Sequence, residues 1–331
     1  MVRDLTAESK AYLVSVGSIA IDQSLFLDDL ITSATAGPGA GGNSIFLTSG
    51  GHRVRLSINP ASPLRAVPQN SDVAIMRGEA IIASGQLERP LCHCPRQAYI
   101  TISERCIYNC LFCPVPELQG KVKTIEEIVR MVEDSAQTGE LQAISLTSGV
   151  AESPEREVRY AVRVVRELRN RYDLPIGVSV YPTETSSADL FAAGASEIKY
   201  NVETMDPAIF ARVCPGLSLP GILTALQDAV DIFGRNHVSS NFILGLGETD
   251  ECVRSGIEIL AGMGVIPNLR PISPHPLRQG EIAVCRPSAE RLIRLARTNR
   301  AALERHGLSV TDSRTMCLPC TGCDLVPGID L

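Results

Sequence analysis

No apolar run in this 331-residue sequence approaches the roughly 20 residues that a membrane-spanning helix needs, so an integral membrane protein is not expected. Positive charge is not in surplus either. Lys and Arg number 31 against 37 Asp and Glu, the formal net charge is −6, and no basic stripe stands out, which argues against nucleic acid as a partner. The opening MVRDLTAESK mixes both charge signs and lacks the apolar core of an export signal, so a cytoplasmic protein is expected. No repeat at a fixed short period is visible. Apolar residues make up 44% of the chain, enough for a full core, and disorder is excluded on that ground. The length suits one large domain with attachments or two modest ones.

Cysteine is the unusual component. There are eleven, and six fall into two tight triplets, Cys106/Cys110/Cys113 and Cys317/Cys320/Cys323. A secreted disulfide framework is expected in a shorter chain with an export signal, whereas clustered thiols in a reducing compartment more often bind metal. Cys214, Cys252 and Cys285 stand alone and read as small buried or surface residues.

Three sections follow from the patterning. Residues 1–95 form an N-terminal accessory α/β region. It has helical stretches before Thr35, a Gly-rich break at 37–42, a hairpin with strands over 43–48 and 53–59, and a further β-rich piece at 72–85. Its expected role is a lid or packing module. Over 96–306, short apolar strands alternate with amphipathic helices, the pattern of βα units and a parallel sheet. Strands are expected at 98–102, 143–147, 176–180, 197–201, 239–244 and 268–272. Helix starts are marked by a capping box at Thr124 and Glu127, by Ser153 before Pro154, and by Ser288, with Gly307 ending the last helix. Six such units fall short of the eight in a closed barrel, so the fold class is α/β with a partial (β/α)6 TIM-like barrel. Residues 307–331 form a tail carrying the second triplet. Starting from the strand N-terminal face, its first seven residues reach roughly 23 Å when extended, enough to bring the cysteines back to the opposite mouth.

The first triplet, Cys106-x3-Cys110-x2-Cys113 with Phe112 before the third cysteine, directly follows the first barrel strand. Three thiolates can hold three irons of a cubane and leave the fourth without a protein ligand. A zinc site would want a fourth Cys or His on the loop, which supplies none. This pattern resembles the radical S-adenosylmethionine (SAM) superfamily. The resemblance implies a [4Fe–4S] cluster whose open iron chelates SAM. It also implies SAM contacts at strand ends: Thr147, Ser148 and Gly149 after the second strand, Asn201 and Glu203 after the fourth, and Ile243, Gly245 and Glu248 in NFILGLGE on the fifth. Asn241 stands where the adenine-contact motif of that superfamily has a glycine. Glu248 also reads as a cap of the next helix.

The second triplet, MCLPCTGC, resembles an auxiliary Fe–S site, with zinc as the competing metal. Cys92 or Cys94, flanking His93 in LCHCPR, is a candidate fourth ligand, and an iron left open is the alternative. NVETMDPAIFARVCPGLS and NFILGLGET resemble the biotin-synthase-like branch that includes lipoyl synthases, and among these the archaeal-type two-component kind. The usual bacterial lipoyl synthase has its auxiliary cysteines ahead of the SAM motif and a C-terminal serine ligand; this sequence departs from both.

The resemblance implies hydrogen abstraction by a 5′-deoxyadenosyl radical followed by sulfur insertion into an octanoyl or similar acyl chain, with a second [4Fe–4S] cluster as sulfur source. Implied partners are an acyl-carrier or lipoyl-domain protein or a small-molecule substrate, a ferredoxin- or flavodoxin-like electron donor, and a second radical SAM subunit. A second reading keeps the radical but has the auxiliary cluster bind substrate or relay electrons in peptide or cofactor modification or methylation. A third is a non-catalytic Fe–S scaffold. Tyr99, Tyr181, Glu184, Arg270, His275 and Arg278 lie on or just after strands, and Arg270 and His275 are the catalytic candidates, against readings as an internal ion pair and a loop residue.

Overall fold

The structure, a computed structural model, describes residues 3–22, 25, 29–37 and 39–331. The chain starts with α1 (Ala7–Val16), opened by a reciprocal capping box between Thr6 and Ser9. This helix accounts for one part of the helical stretch expected before Thr35; residues 23, 24 and 26–28 lie outside the described residues, as does Pro38 in the Gly-rich break. Seven strands follow: β1 (Ser18–Ile21), β2 (Thr32–Ser33), β3 (Asn43–Ser49), β4 (His52–Ile58), β5 (Arg65–Gln69), β6 (Asp72–Arg77) and β7 (Ala80–Glu88). The β3–β4 hairpin turns through Gly50 and Gly51, both at positive φ (58° and 81°), the backbone that a tight hairpin turn demands. Strand order is β2-β3-β4-β1-β5-β6-β7, and β7 pairs again with β3, so the sheet closes on itself. β1 runs parallel to both β4 and β5.

The second sheet is wholly parallel and in sequence order: β8 (Gln97–Thr101), β9 (Ala143–Thr147), β10 (Ile176–Ser179), β11 (Glu197–Lys199), β12 (Val238–Leu244) and β13 (Ile266–Pro271). Helices α2 (Ile125–Gln137), α3 (Pro154–Arg169), α4 (Ser186–Ala192), α5 (Pro207–Val213), α6 (Leu219–Phe233), α7 (Asp250–Met263) and α8 (Ala289–Arg305) occupy the connections. Thr124 and Glu127 form the capping box of α2, and Ser153 caps α3 with Pro154 at its first position. On β9, Ile144 and Leu146 pack into the core beneath the helices while Ser145 and Thr147 face the interior, the two-residue alternation of a pleated strand. The barrel is open, with β8 and β13 at its edges. Among the described residues no helix is long and apolar enough to cross a membrane.

The tail was expected to run back to the strand C-terminal mouth. It instead closes the N-terminal mouth from below. Ser309 and Asp312 are tied to Asn236, ahead of β12 (2.9 and 3.0 Å). Glu197, the first residue of β11, accepts from Ser313 Oγ (2.8 Å), Arg314 N (2.6 Å), Thr315 N (3.1 Å) and Thr315 Oγ1 (2.5 Å). Met316 N donates to both Gln97 Oε1 and Ser145 Oγ at 2.8 Å. Gly177 makes room, for a Cβ there would lie 2.1 Å from Thr315 Oγ1. The polar inner rung satisfies the tail's backbone, which is why the chain enters the lumen rather than passing outside it. A one-turn helix, α9 (Cys317–Cys320), then carries the second triplet upward, bracketed by Met316 (φ 60°) and Thr321 (φ 55°).

Candidate functional site

A cavity of about 450 Å³ in the barrel is lined by both triplets: Cys106, Cys110 and Cys113, and Cys317, Cys320 and Cys323. The first triplet sits on the loop after β8. That loop is pinned by backbone bonds Ile107 N→Val150 O (2.7 Å) and Leu111 N→Val213 O (2.9 Å), and Cys113 N closes a turn onto Cys110 O (2.9 Å). Arg278, buried, braces it from the far side, donating from Nε to Cys113 O (2.8 Å) and from Nη2 to Asn109 Oδ1 (2.6 Å). Burial pushes the Cys106 thiol up and Cys113 up to about 12, so thiolates at these positions require a cationic partner such as iron.

The strand-end residues divide into two groups. Phe112, Thr147, Ser148, Gly149, Asn201, Glu203 and Ile243 line the cavity. Ser148 Oγ is already engaged by Glu157 and by Ser103 N (3.0 Å), and Gly149 N donates to Ser103 O (2.9 Å). Glu203, at φ 58°, is half-buried on the wall. Burial raises its carboxyl to about 7, against the opposing pull of a bond from Asn201 and the charges of Lys199 and Arg270. Gly245 and Glu248 stand behind the wall instead. Glu248 accepts from Gly245 N (2.9 Å) and Leu246 N (2.8 Å) and pairs with Arg291 (2.9 Å), so its carboxylate shapes the GLGE turn.

The second triplet is set in a polar floor. Lys199 Nζ reaches Cys317 Sγ at 3.6 Å and Tyr99 OH at 3.5 Å. Arg270 pairs with the buried Asp324 (3.2 Å); burial opposes its charge, but Cys323, Cys317 and Asp324 together hold its pKa well above the ordinary value. Arg53 forks onto Glu88 (2.5 and 2.7 Å) and donates to Cys320 O (2.9 Å). Cys94 is fully buried and packs against Cys320 and Phe46. The neighbouring Cys94 thiol lowers Cys320 to about 7, while Cys320 and burial raise Cys94 well above the usual thiol range. Cys92 lines the cavity but turns to α2, its Sγ 3.4 Å from Ser135 Oγ. His93 is held neutral, its pKa lowered to about 3 by burial and by Arg55.

Of the two catalytic candidates, Arg270 lies beside the second triplet. His275 caps a short 3-10 turn, accepting from Leu277 N (3.2 Å), and lines a separate groove with Phe112 and Ile272. Sequence reasoning missed Lys199, Arg53 and Cys214. Lys199 reads as an ordinary strand lysine, and Arg53 belongs to a section in which no chemistry is legible. Cys214, taken as a lone small residue, is buried, and the neighbouring Cys110 thiol together with burial pushes its pKa up. Among the described residues no three His, Cys, Asp or Glu converge as one metal ion requires, so each triplet rims a space rather than a point. Each triplet brings three soft thiols to a cavity that Glu104, Glu203 and His93 also line, and a set of three thiols suits an iron–sulfur cluster, the larger group.

Residues 100–259 match the family model of the radical SAM superfamily. The lipoyl synthase of Mycobacterium tuberculosis (strain ATCC 25618 / H37Rv) is 32% identical over 187 residues, 52% of this chain and 57% of that protein. That of Mycobacterium avium (strain 104) is 30% identical over 187 residues, 52% of this chain and 58% of that protein. The chain thus spans little more than half the length of these curated relatives. Among solved structures, the FeFe-hydrogenase maturase HydG from Carboxydothermus hydrogenoformans superposes with a TM-score of 0.52 at 17% identity, over 63% of this chain and 52% of that one. Methylornithine synthase does so with a TM-score of 0.50 at 17% identity, over 64% and 69%. At such identities the likeness is one of fold.

Proposed function

Because residues 100–259 make this chain a member of the radical SAM superfamily, we propose that it inserts sulfur into an unactivated C–H bond of an acyl chain, in the manner of a lipoyl synthase. The reading is carried by one observation: both cysteine triplets line the same cavity. When bound, a cluster on Cys106, Cys110 and Cys113 supplies reductive cleavage of SAM to a radical that removes hydrogen, and a cluster on the second triplet supplies sulfide to the resulting carbon.

The chain's own residues provide placement. Arg278 and the backbone of Val150 and Val213 fix the loop of the first triplet, while Asn201 and Glu203 present an amide and a carboxyl suited to the hydroxyl and amino groups of SAM. Lys199, Arg270 and Arg53 offset the negative charge that thiolates bring to the floor. Thr147, Ser179 and Ile243 also line this cavity and would help to position a substrate carbon within it. The substrate in this reading is an octanoylated lipoyl-domain protein, electrons come from a ferredoxin- or flavodoxin-like donor, and a second radical SAM subunit completes the two insertions.

The test is anaerobic turnover with SAM, a strong reductant and an octanoylated lipoyl-domain peptide, read by mass spectrometry. Sulfur added to the peptide supports the proposal; 5′-deoxyadenosine with no thiolated product counts against it.

A further inference from the structure

We propose that Cys94 is the fourth protein ligand of the auxiliary cluster, completing a four-thiolate set with Cys317, Cys320 and Cys323 from which Cys92 is excluded. This assignment rests on the two-cluster reading above and deepens it. Packing carries the argument. Cys94, Cys320 and Phe46 form one buried group with Tyr99 against it, and Tyr99 in turn lies beside Cys317 and Lys199.

The turn bearing Cys94 is built rather than incidental. Leu91 N bonds Cys94 O (3.2 Å), Cys94 bridges to Gln97, and Arg96 between them takes φ 63°, a strained backbone for a side chain of that size. On the outer side, Thr32 Oγ1 bonds the carbonyls of both Cys92 and His93 at 3.1 Å. Gln97 then ties this turn to the tail, since its amide accepts from Met316 N and donates to Met316 O (3.1 Å), one residue before Cys317. One side chain therefore links the strand start three residues after Cys94 to the residue that precedes Cys317.

Charge points the same way. Lys199, Arg270 and Arg53 converge on these cysteines: Lys199 Nζ lies 3.6 Å from Cys317 Sγ, Arg270 pairs with Asp324 next to Cys323, and Arg53 donates to Cys320 O. Three cations placed around one group of cysteines suit the negative charge that a cluster held there would bring. Cys92 has no place in this set, because its Sγ is bonded to α2 through Ser135. A complete thiolate set leaves no iron open to a substrate heteroatom, so the substrate would meet sulfide rather than iron.

The experiment uses full-length protein with Cys106, Cys110 and Cys113 all changed to alanine, leaving only the auxiliary site, reconstituted anaerobically with iron and sulfide. This parent is expected to hold about four irons per chain. Cys92→Ala is expected to match it. Cys94→Ala is expected to fall to about three irons or fewer, and Cys94→Ser to keep iron with an altered electron paramagnetic resonance spectrum, because oxygen replaces sulfur. Coincident melts of the iron-free forms separate ligand loss from misfolding, and Cys94→Ser is the deciding variant should Cys94→Ala melt early. Full iron content with an unchanged spectrum in the Cys94 variants, or loss in Cys92→Ala alone, overturns the assignment. A parent that binds no iron overturns the two-cluster reading, and this assignment with it.

Discussion

Lys10 Nζ donates to Asp330 Oδ2 at 2.6 Å, joining residues 320 positions apart, and neither side chain reaches solvent. Lys10 also donates to Thr321 O (2.6 Å), within the second triplet, while Asp330 accepts from Val326 N (2.8 Å) and lies 2.9 Å from His52 Nδ1. The pair thus clamps the cysteine tail onto the N-terminal sheet. Removing one partner leaves the other charged and buried, which typically costs about 3–5 kcal/mol. Lys10→Met is expected to destabilise the protein by that order in urea unfolding and to reduce iron at the auxiliary site. Wild-type stability with full iron content would show that the clamp is idle.

Glu197 is the second anchor, accepting four hydrogen bonds from residues 313–315. Glu197→Ala strands two backbone N–H groups and two hydroxyls, on the order of 1–3 kcal/mol for each one that water cannot reach. A lowered melting temperature is expected, together with release of the second triplet from the floor, read as a fall in iron content towards that of one cluster. Glu197→Gln keeps part of the acceptor set and should fall between.

Local sequence signals gave the elements, and the tail shows why they did not give the site. Capping boxes, the Gly50–Gly51 turn and the C-x3-C-x2-C spacing are short-range, so each is legible in a few residues. The path of the tail depends on Ser145, Gly177 and Glu197, which align across three strands, and on Gln97 two residues lower on the fourth, an arrangement that exists only once all four strands have paired. The closed N-terminal sheet was illegible for a related reason, since β1 contributes four residues and pairs in parallel with two distant strands. Arg53 and Cys94 acquire chemical meaning only once that sheet meets the floor.

Separate roles for the two triplets predict separable defects. Cys110→Ala is expected to abolish SAM cleavage, and Cys320→Ala to permit abortive cleavage without product, both measured as 5′-deoxyadenosine against thiolated peptide. Cys214→Ala tests the open iron from another side, because Cys110 is close enough to Cys214 to shift its thiol. Unchanged cleavage is expected. Loss of iron from the first site in Cys214→Ala would mean that its cubane is capped by protein at every corner, leaving no place for SAM.

Glu203 supplies a pH dependence whose sign can be worked out for the iron-free protein. Burial raises its folded pKa from 4.5 to about 7. Between those values the folded state holds a proton that the unfolded state has lost, so stability falls as pH rises through the window and the full penalty stands above about 7. Glu203→Gln removes that penalty. Its melting temperature is expected to exceed wild type at about pH 8 and to match it near about pH 4.5. A gap that is equal at both pH values would assign the effect to packing rather than ionisation.

Arg278 makes the last prediction, because it touches the first triplet through backbone alone. It forks onto Cys113 O and Asn109 Oδ1, and Glu281 holds its Nη1 at 3.0 Å, so the guanidinium is fixed before it meets the loop. A lysine presents a single rotating ammonium and cannot satisfy both acceptors in one geometry. Arg278→Lys is therefore expected to behave much like Arg278→Ala, with the loop carrying Cys110 and Cys113 loosened, SAM cleavage down by about 10-fold or more for two charged hydrogen bonds lost, and the iron of the auxiliary site retained. Iron counted in each variant against the triple-alanine parent separates the two sites. If Arg278→Lys cleaves SAM at the wild-type rate, the loop holds its shape without the fork, and the bonds that Ile107 N and Leu111 N donate to Val150 O and Val213 O suffice.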